Sequence, residues 1–135
     1  MKNIIFILLV VFLCSCSNQS TSQSIQNVDA ASFEINSNKG NSIILDVRTK
    51  EEFVSGHISD ATNIDYYGSD FKEKLDLVKK DVPILVYCRS GGRSSRAANI
   101  MQSLGFTEVY SLSGGIGAWK DSGFDVIKTR DEKKK

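Results

Sequence analysis

A cysteine, two arginines, two serines and two adjacent glycines fall within the seven positions Cys88-Arg89-Ser90-Gly91-Gly92-Arg93-Ser94. The glycines permit a tight turn in which backbone N–H groups converge on an anion. A thiol set in such a turn faces N–H dipoles, the positive end of any helix that follows, and the cations of Arg89 and Arg93, all of which favour thiolate over thiol. Cys88 therefore reads as an activated nucleophile. A cysteine closing an apolar strand can instead be a small buried hydrophobe, but a passive core thiol has no use for two arginines and a Gly-Gly turn beside it.

The turn needs a rigid element on each side. Before it, Ile84-Leu85-Val86-Tyr87 is a β-rich apolar run that starts after Pro83, and it reads as a buried strand. After it, Ser94 to Leu104 reads as a helix with Ala97, Ala98, Met101 and Leu104 on one stripe and Gly105 as its stop. The N-terminus of that helix points into the turn. A second apolar run, Ile43 to Val47, reads as a central strand interrupted by Asp46. A carboxylate at the end of a buried strand must be paired, and Arg48, two positions on and on the same face, is the nearest cation. Thr49 then caps a short helix with Glu51 and Glu52 in its first turn, where the helix dipole favours acids, and Gly56 ends it. His57 is the only histidine. It could act as a general base for Cys88, but a thiolate held by a cradle needs none, so His57 is expected to pack beside Gly56 and Ile58 and bond the backbone.

The remaining chain supplies scaffold. Ile25 to Val28 reads as a short edge strand, and Asp29 as the N-cap of a helix through Asn36. Ile58 to Ile64 leads into another short strand, and Ser69 to Lys80 reads as an amphipathic helix with Phe71, Leu75 and Val78 on one face. Glu108 to Leu112 reads as a strand, Ser113-Gly114-Gly115 as a tight turn, and Ile116 to Lys120 as a short helix whose Trp119 is core or loop support. Strands alternate with helices throughout, which predicts an α/β fold with a central, mostly parallel sheet and helices on both faces. Sites in such folds lie at the carboxyl ends of the strands, where Cys88 and Asp46 both fall.

The 135 residues leave room for one domain of roughly 100 residues once the first segment is set aside. With 17 Lys and Arg against 16 Asp and Glu, the overall charge gives no reason to expect a nucleic-acid partner. Residues 1–15 read as a signal peptide: Lys2 is the positive n-region and Ile4 to Leu13 an apolar run too short to span a bilayer. Leu13-Cys14-Ser15-Cys16 looks like a bacterial lipobox, with Cys16 the residue expected to carry lipid; lipidation of Cys14 would place Leu13 where a small residue is needed. An ordinary cleaved secretory signal or an uncleaved anchor is the alternative. Residues 16–24 read as a flexible tether, 25–130 as the domain and 131–135 as a charged, solvated tail. The expected location is the bacterial cell envelope, exported and facing the periplasm, with lipid on Cys16 in the membrane. Ser17, in place of an aspartate-type retention signal, points to the outer membrane where the host has one. With Cys14 removed and Cys16 lipidated, Cys88 would be the only free cysteine, which excludes an intrachain disulfide and a cysteine zinc cluster.

Three segments together resemble a single-domain rhodanese, over roughly Ile25 to Ile127. They are Leu45-Asp46-Val47-Arg48 continuing through Glu52-Phe53, Gly56-His57-Ile58, Ala61 and Asn63-Ile64; Tyr87 to Ser94; and Leu112-Ser113-Gly114-Gly115-Ile116 with Ala118-Trp119. Ser59-Asp60 stands where the family often has Pro-Gly, Asp65 where proline is common and Gly92 where asparagine is frequent. The resemblance implies sulfurtransferase chemistry through a persulfide on Cys88, cradled by N–H groups from Arg89 to Ser94. It implies a small sulfur donor such as thiosulfate or a persulfide, a thiol or cyanide as acceptor, and neither metal nor organic cofactor. Arg89 and Arg93 would hold an anionic donor, with Ser90, Gly91, Gly92 and Ser94 completing the loop; Arg93 would also brace it. Asp46, Arg48 and His57 would support the site. Two alternatives stand beside this reading. A partner-loaded sulfur carrier or binding module would share the fold, and so would a phosphatase or arsenate reductase. The rhodanese-fold phosphatases, however, have five residues between cysteine and arginine, where this chain has four, Arg89 to Gly92.

Overall fold

The computed structural model describes residues 22–129. The expected signal peptide, Cys16 and most of the tether, residue 130 and the tail expected at 131–135 lie outside the described residues.

Five strands form one sheet in the order β1-β5-β4-β2-β3, and every pairing is parallel. They are β1 (Ser24–Val28), β2 (Ile43–Asp46), β3 (Thr62–Asn63), β4 (Ile84–Tyr87) and β5 (Glu108–Leu112). The helices between and after them are α1 (Ala30–Ser37), α2 (Lys50–Ser55), α3 (Phe71–Asp76), α4 (Gly92–Ser103) and α5 (Gly115–Asp121). The central strand β4 is apolar and buried on both faces because both faces are covered, as β2 is but for Asp46. Leu45, Ile84, Val86 and Val109 meet Phe71 and Leu75 of α3 and Ala97, Ala98 and Met101 of α4. On the other face Ile44, Leu85, Tyr87 and Leu112 meet Ala30 and Phe33 of α1 and Ile116 and Trp119 of α5. Side chains alternate between the two layers along β4, as the period of two requires. Trp119 is core, as expected, 5% exposed and edge-on to Phe33 at 6.0 Å.

Capping signals mark where the helices begin. Asp29 accepts from the Ser32 N–H at 2.8 Å, and Thr49 forms a full capping box with Glu52. Three boundaries differ from the sequence reading. The helix expected from Ser69 to Lys80 is only α3, because Phe71 and Leu75 alone are buried on it; Leu77 is 88% exposed, and beyond it the chain must turn to enter β4. The strand expected near Ile64 is two residues long, its Asn63 Nδ2 donating to the Asp46 and Arg48 carbonyls at 3.0 and 2.8 Å. The helix after the cysteine starts at Gly92 rather than Ser94. Gly91, at φ 105°, makes the sharp entry that brings Arg93 into the first turn. Asp60, where the resembled family often carries glycine, has φ 61°, a left-handed conformation that a short polar side chain tolerates.

Candidate active site

Parallel pairing brings the carboxyl ends of the strands to one edge, and Cys88 is the first residue beyond β4 at that edge. It is flanked by β2, through the Val47 N–H to Tyr87 carbonyl bond at 3.0 Å, and by β5, where Val86 registers with Ser111. Cys88 is 1% exposed and belongs to the α4-side core layer. Burial pushes its thiol pKa up. Hydrogen bonding from the Ser94 N–H and hydroxyl and from the Gly91 and Ser90 N–H groups outweighs that and leaves it below the ordinary thiol value. The Gly91 N–H lies 3.1 Å from Sγ. Of these donors Ser94 lies in the first turn of α4, Gly91 is its N-cap and Ser90 precedes it, so the loop and the helix start together supply the N–H groups.

The floor of the loop comes from the C-terminal Gly-Gly turn. The Ile116 N–H donates to the Cys88 carbonyl at 2.9 Å and the Gly117 N–H to the Arg89 carbonyl at 3.3 Å. Gly115, at φ 60°, approaches so closely that a β-carbon there would lie 2.5 Å from the Cys88 and Arg89 carbonyl oxygens. Only glycine fits.

Asp46 and Arg48 form the pair that the sequence required. Both Arg48 Nε and its backbone N–H reach Asp46 Oδ1, at 3.0 and 2.9 Å, and Nη2 reaches Oδ2 at 2.6 Å. Asp46 is fully buried and Arg48 is 4% exposed. Burial works against the guanidinium charge, but the Asp46 carboxylate more than restores it. Nη2 also donates to the Gly56 carbonyl at 2.7 Å and so ties the end of α2 to the end of β2. The next residue, His57, packs flat on Phe53 with ring centroids 3.8 Å apart, and its Nδ1–H donates to the Phe53 carbonyl at 2.9 Å. Its backbone bridges to Ile127 in both directions, at 2.8 and 2.9 Å. Those contacts are structural, and no hydrogen bond among the described residues links His57 to Cys88.

The two loop arginines part company. Arg89 is exposed, and none of the ion pairs among the described residues includes it. Arg93 makes a bidentate pair with Glu52, Nη1 to Oε2 at 2.7 Å and Nη2 to Oε1 at 2.9 Å, while its guanidinium lies 5.6 Å from the centre of the Tyr67 ring. The pair ties the first turn of α4 to the first turn of α2. Glu52 and Tyr67 were not anticipated as part of the site. The sequence reading accounts for Glu52 as an acid favoured by the dipole in the first turn of α2, and Tyr67 carries no local signal at all.

The Arg93 hydrogen bonds draw the Glu52 carboxyl from its ordinary 4.5 down to about 2. A carboxyl whose pKa falls on folding stabilises the fold above its unfolded pKa and loses that contribution as pH falls through the folded one. The difference in unfolding free energy between wild type and Glu52→Gln is therefore expected to be constant above about pH 5 and to vanish between pH 4.5 and about 2. Its plateau is of order 1 kcal/mol, because both side chains keep some solvent contact that screens the pair. Urea titrations across that pH range measure it; a difference that persists unchanged at pH 2 would refute the pairing.

The site so built is a cysteine loop on a doubly covered parallel sheet, a thiol whose pKa is lowered by hydrogen bonds, between a central strand and the helix after it. The Rhodanese-like domain pattern matches residues 29–122, and the chain belongs to that family. It is 38% identical over 100 residues to the mitochondrial protein HIGH ARSENIC CONTENT 1 of Arabidopsis thaliana; the match takes in 67% of this chain and spans 59% of that protein's length. It is 36% identical over 81 residues to the thiosulfate sulfurtransferase GlpE of Pseudomonas entomophila, covering 59% of this chain and 72% of GlpE. A crystal structure of a rhodanese-related protein from Thermoplasma volcanium superposes with a TM-score of 0.67 at 30% identity, over 77% of this chain and 99% of that one.

Proposed function

We propose that this protein is a sulfurtransferase that carries sulfane sulfur on Cys88. The observation that supports it most is the set of N–H and hydroxyl donors directed at the Cys88 sulfur, a site that stabilises an anionic thiolate and would equally stabilise an anionic persulfide. Its thiosulfate sulfurtransferase relative supports the same chemistry.

In the first step the thiolate attacks the outer sulfur of thiosulfate. A new S–S bond forms at Cys88, the old one breaks, and its electron pair leaves with sulfite. In the second step a thiolate or cyanide attacks the terminal sulfur, the Cys88 S–S bond breaks, and its pair returns to the cysteine. Neither step needs a metal or a redox cofactor. Arg89, outside every ion pair among the described residues, is the cation for the donor's sulfonate end. Arg93 is committed to Glu52, and this, with the four-residue spacing to Cys88, speaks against its gripping a tetrahedral oxyanion as a phosphatase or arsenate reductase would. Export and lipid attachment at Cys16 complete the proposal and would place the domain at the cell envelope.

Incubating the full chain with thiosulfate, recording its intact mass, then adding cyanide and assaying thiocyanate tests the reading. The expected result is a gain of one sulfur that maps to Cys88 and is discharged by cyanide. A folded protein with a reactive Cys88 that takes no sulfur from thiosulfate would overturn thiosulfate transfer and favour a carrier loaded by a protein partner; turnover of an aryl phosphate or of arsenate would favour the oxyanion chemistry instead.

A further inference from the structure

Two hydroxyls are buried side by side next to the sulfur, and the chemistry above calls on only one of them. Ser94, in the first turn of α4, has no exposure; Ser111, on β5, is 1% exposed; their Oγ atoms lie 3.2 Å apart. Ser111 shares a sheet face with Val109 and is in register with Val86, an apolar setting in which a hydroxyl is costly unless it is hydrogen-bonded. Nothing about the packing of β5 calls for a polar group at this position.

The hydroxyls form a short chain. Ser94 has one O–H proton, which it donates to the Gly91 carbonyl at 3.1 Å, with the Cys88 sulfur as the alternative acceptor. Ser111 Oγ donates in turn to Ser94 Oγ. The Gly91 carbonyl already accepts the Ser95 N–H at 3.0 Å, so the Ser94 proton can leave it without stranding a buried acceptor.

We propose that Ser111 is a positioning residue for Cys88: its hydroxyl pins Ser94 Oγ and polarises that hydroxyl, whose one proton rests on the Gly91 carbonyl when the sulfur is protonated and turns to the sulfur when it is anionic. Hydrogen bonds in a chain strengthen one another, and a donor that has itself accepted a bond is a better donor. The inference rests on Cys88 being the nucleophile, but not on sulfur transfer.

Its test is the pH dependence of Cys88 alkylation by iodoacetamide in the full chain, read on the peptide that contains Cys88 so that Cys14 and Cys16 do not interfere. Ser111→Ala is expected to raise the midpoint by about half a pH unit, which is about a threefold loss of thiolate below the midpoint. In a Ser94→Ala background the same change is expected to do nothing further, since its route to the sulfur is gone. Ser111→Thr and Ser111→Val are alike in shape, so their difference isolates the hydroxyl whatever strain the larger side chain brings; the Thr variant should titrate below the Val variant. Coincident Thr and Val midpoints, or Ser111 and Ser94 effects that simply add, would overturn the proposal. Loss of thiosulfate transfer with these alkylation shifts intact would remove the proposed function and leave this inference standing.

Discussion

Cys88→Ser is expected to lower thiosulfate-to-cyanide transfer by at least about a thousandfold while leaving the unfolding free energy within about 1 kcal/mol of wild type. A serine oxygen is close in size to sulfur and still accepts the N–H groups of the loop, so the fold loses little. It is not ionised near neutral pH and forms no persulfide, so the chemistry loses its carrier. Initial rates of thiocyanate formation, set beside urea unfolding of the same samples, separate the two effects. A variant that kept a tenth of the wild-type rate would end the persulfide mechanism. The wild-type rate carries a second signature. Because the loop holds the thiol below the ordinary value of 9.0, the rate at which thiosulfate loads sulfur onto the protein, read by mass before any cyanide is added, should rise with pH and level off before pH 9.0.

The largest loss of stability is expected at Arg48. Arg48→Met leaves the fully buried Asp46 carboxylate without the side-chain partner that holds it, and breaking a buried pair from one side costs about 3–5 kcal/mol. The same change strands the Gly56 carbonyl and loosens the junction between β2 and α2. Removing the charge on both sides, with Asp46→Leu and Arg48→Met together, should recover much of the loss, because no buried ion then remains unpaired. Urea unfolding of the two variants and wild type decides it; a single variant destabilised by less than about 1 kcal/mol would show that Asp46 has another partner.

What could be read from the sequence was local. The apolar runs Ile43 to Val47 and Ile84 to Tyr87 announced buried parallel strands, Asp29 and Thr49 announced helix starts, and a carboxylate in a buried strand with an arginine two positions on announced their pairing. What escaped depends on residues far apart in the chain. Glu52 meets Arg93 across 41 positions and Ser111 meets Ser94 across 17, and no periodicity or spacing encodes either meeting. The start of α4 was missed by two residues because the left-handed turn at Gly91 lets Gly92 and Arg93 join the helix, where two consecutive glycines suggest loop. The excess length read into α3 came from apolar spacing at Val78 that the chain uses for a turn rather than another helical turn.

Synthesis runs from the N-terminus, and the nucleophile's surroundings do not. Cys88 emerges from the ribosome before Ser111, Gly115 and Ile116 exist, and the first strand of the sheet waits for β5 before it has a neighbour. Until the last strand and α5 arrive, the loop lacks the Ile116 and Gly117 N–H groups that hold the Cys88 and Arg89 carbonyls, and Ser94 lacks the Ser111 hydroxyl. The loop is thus completed only at the final stage of folding, and a chain cut short of Gly115 carries Cys88 in a loop without its floor.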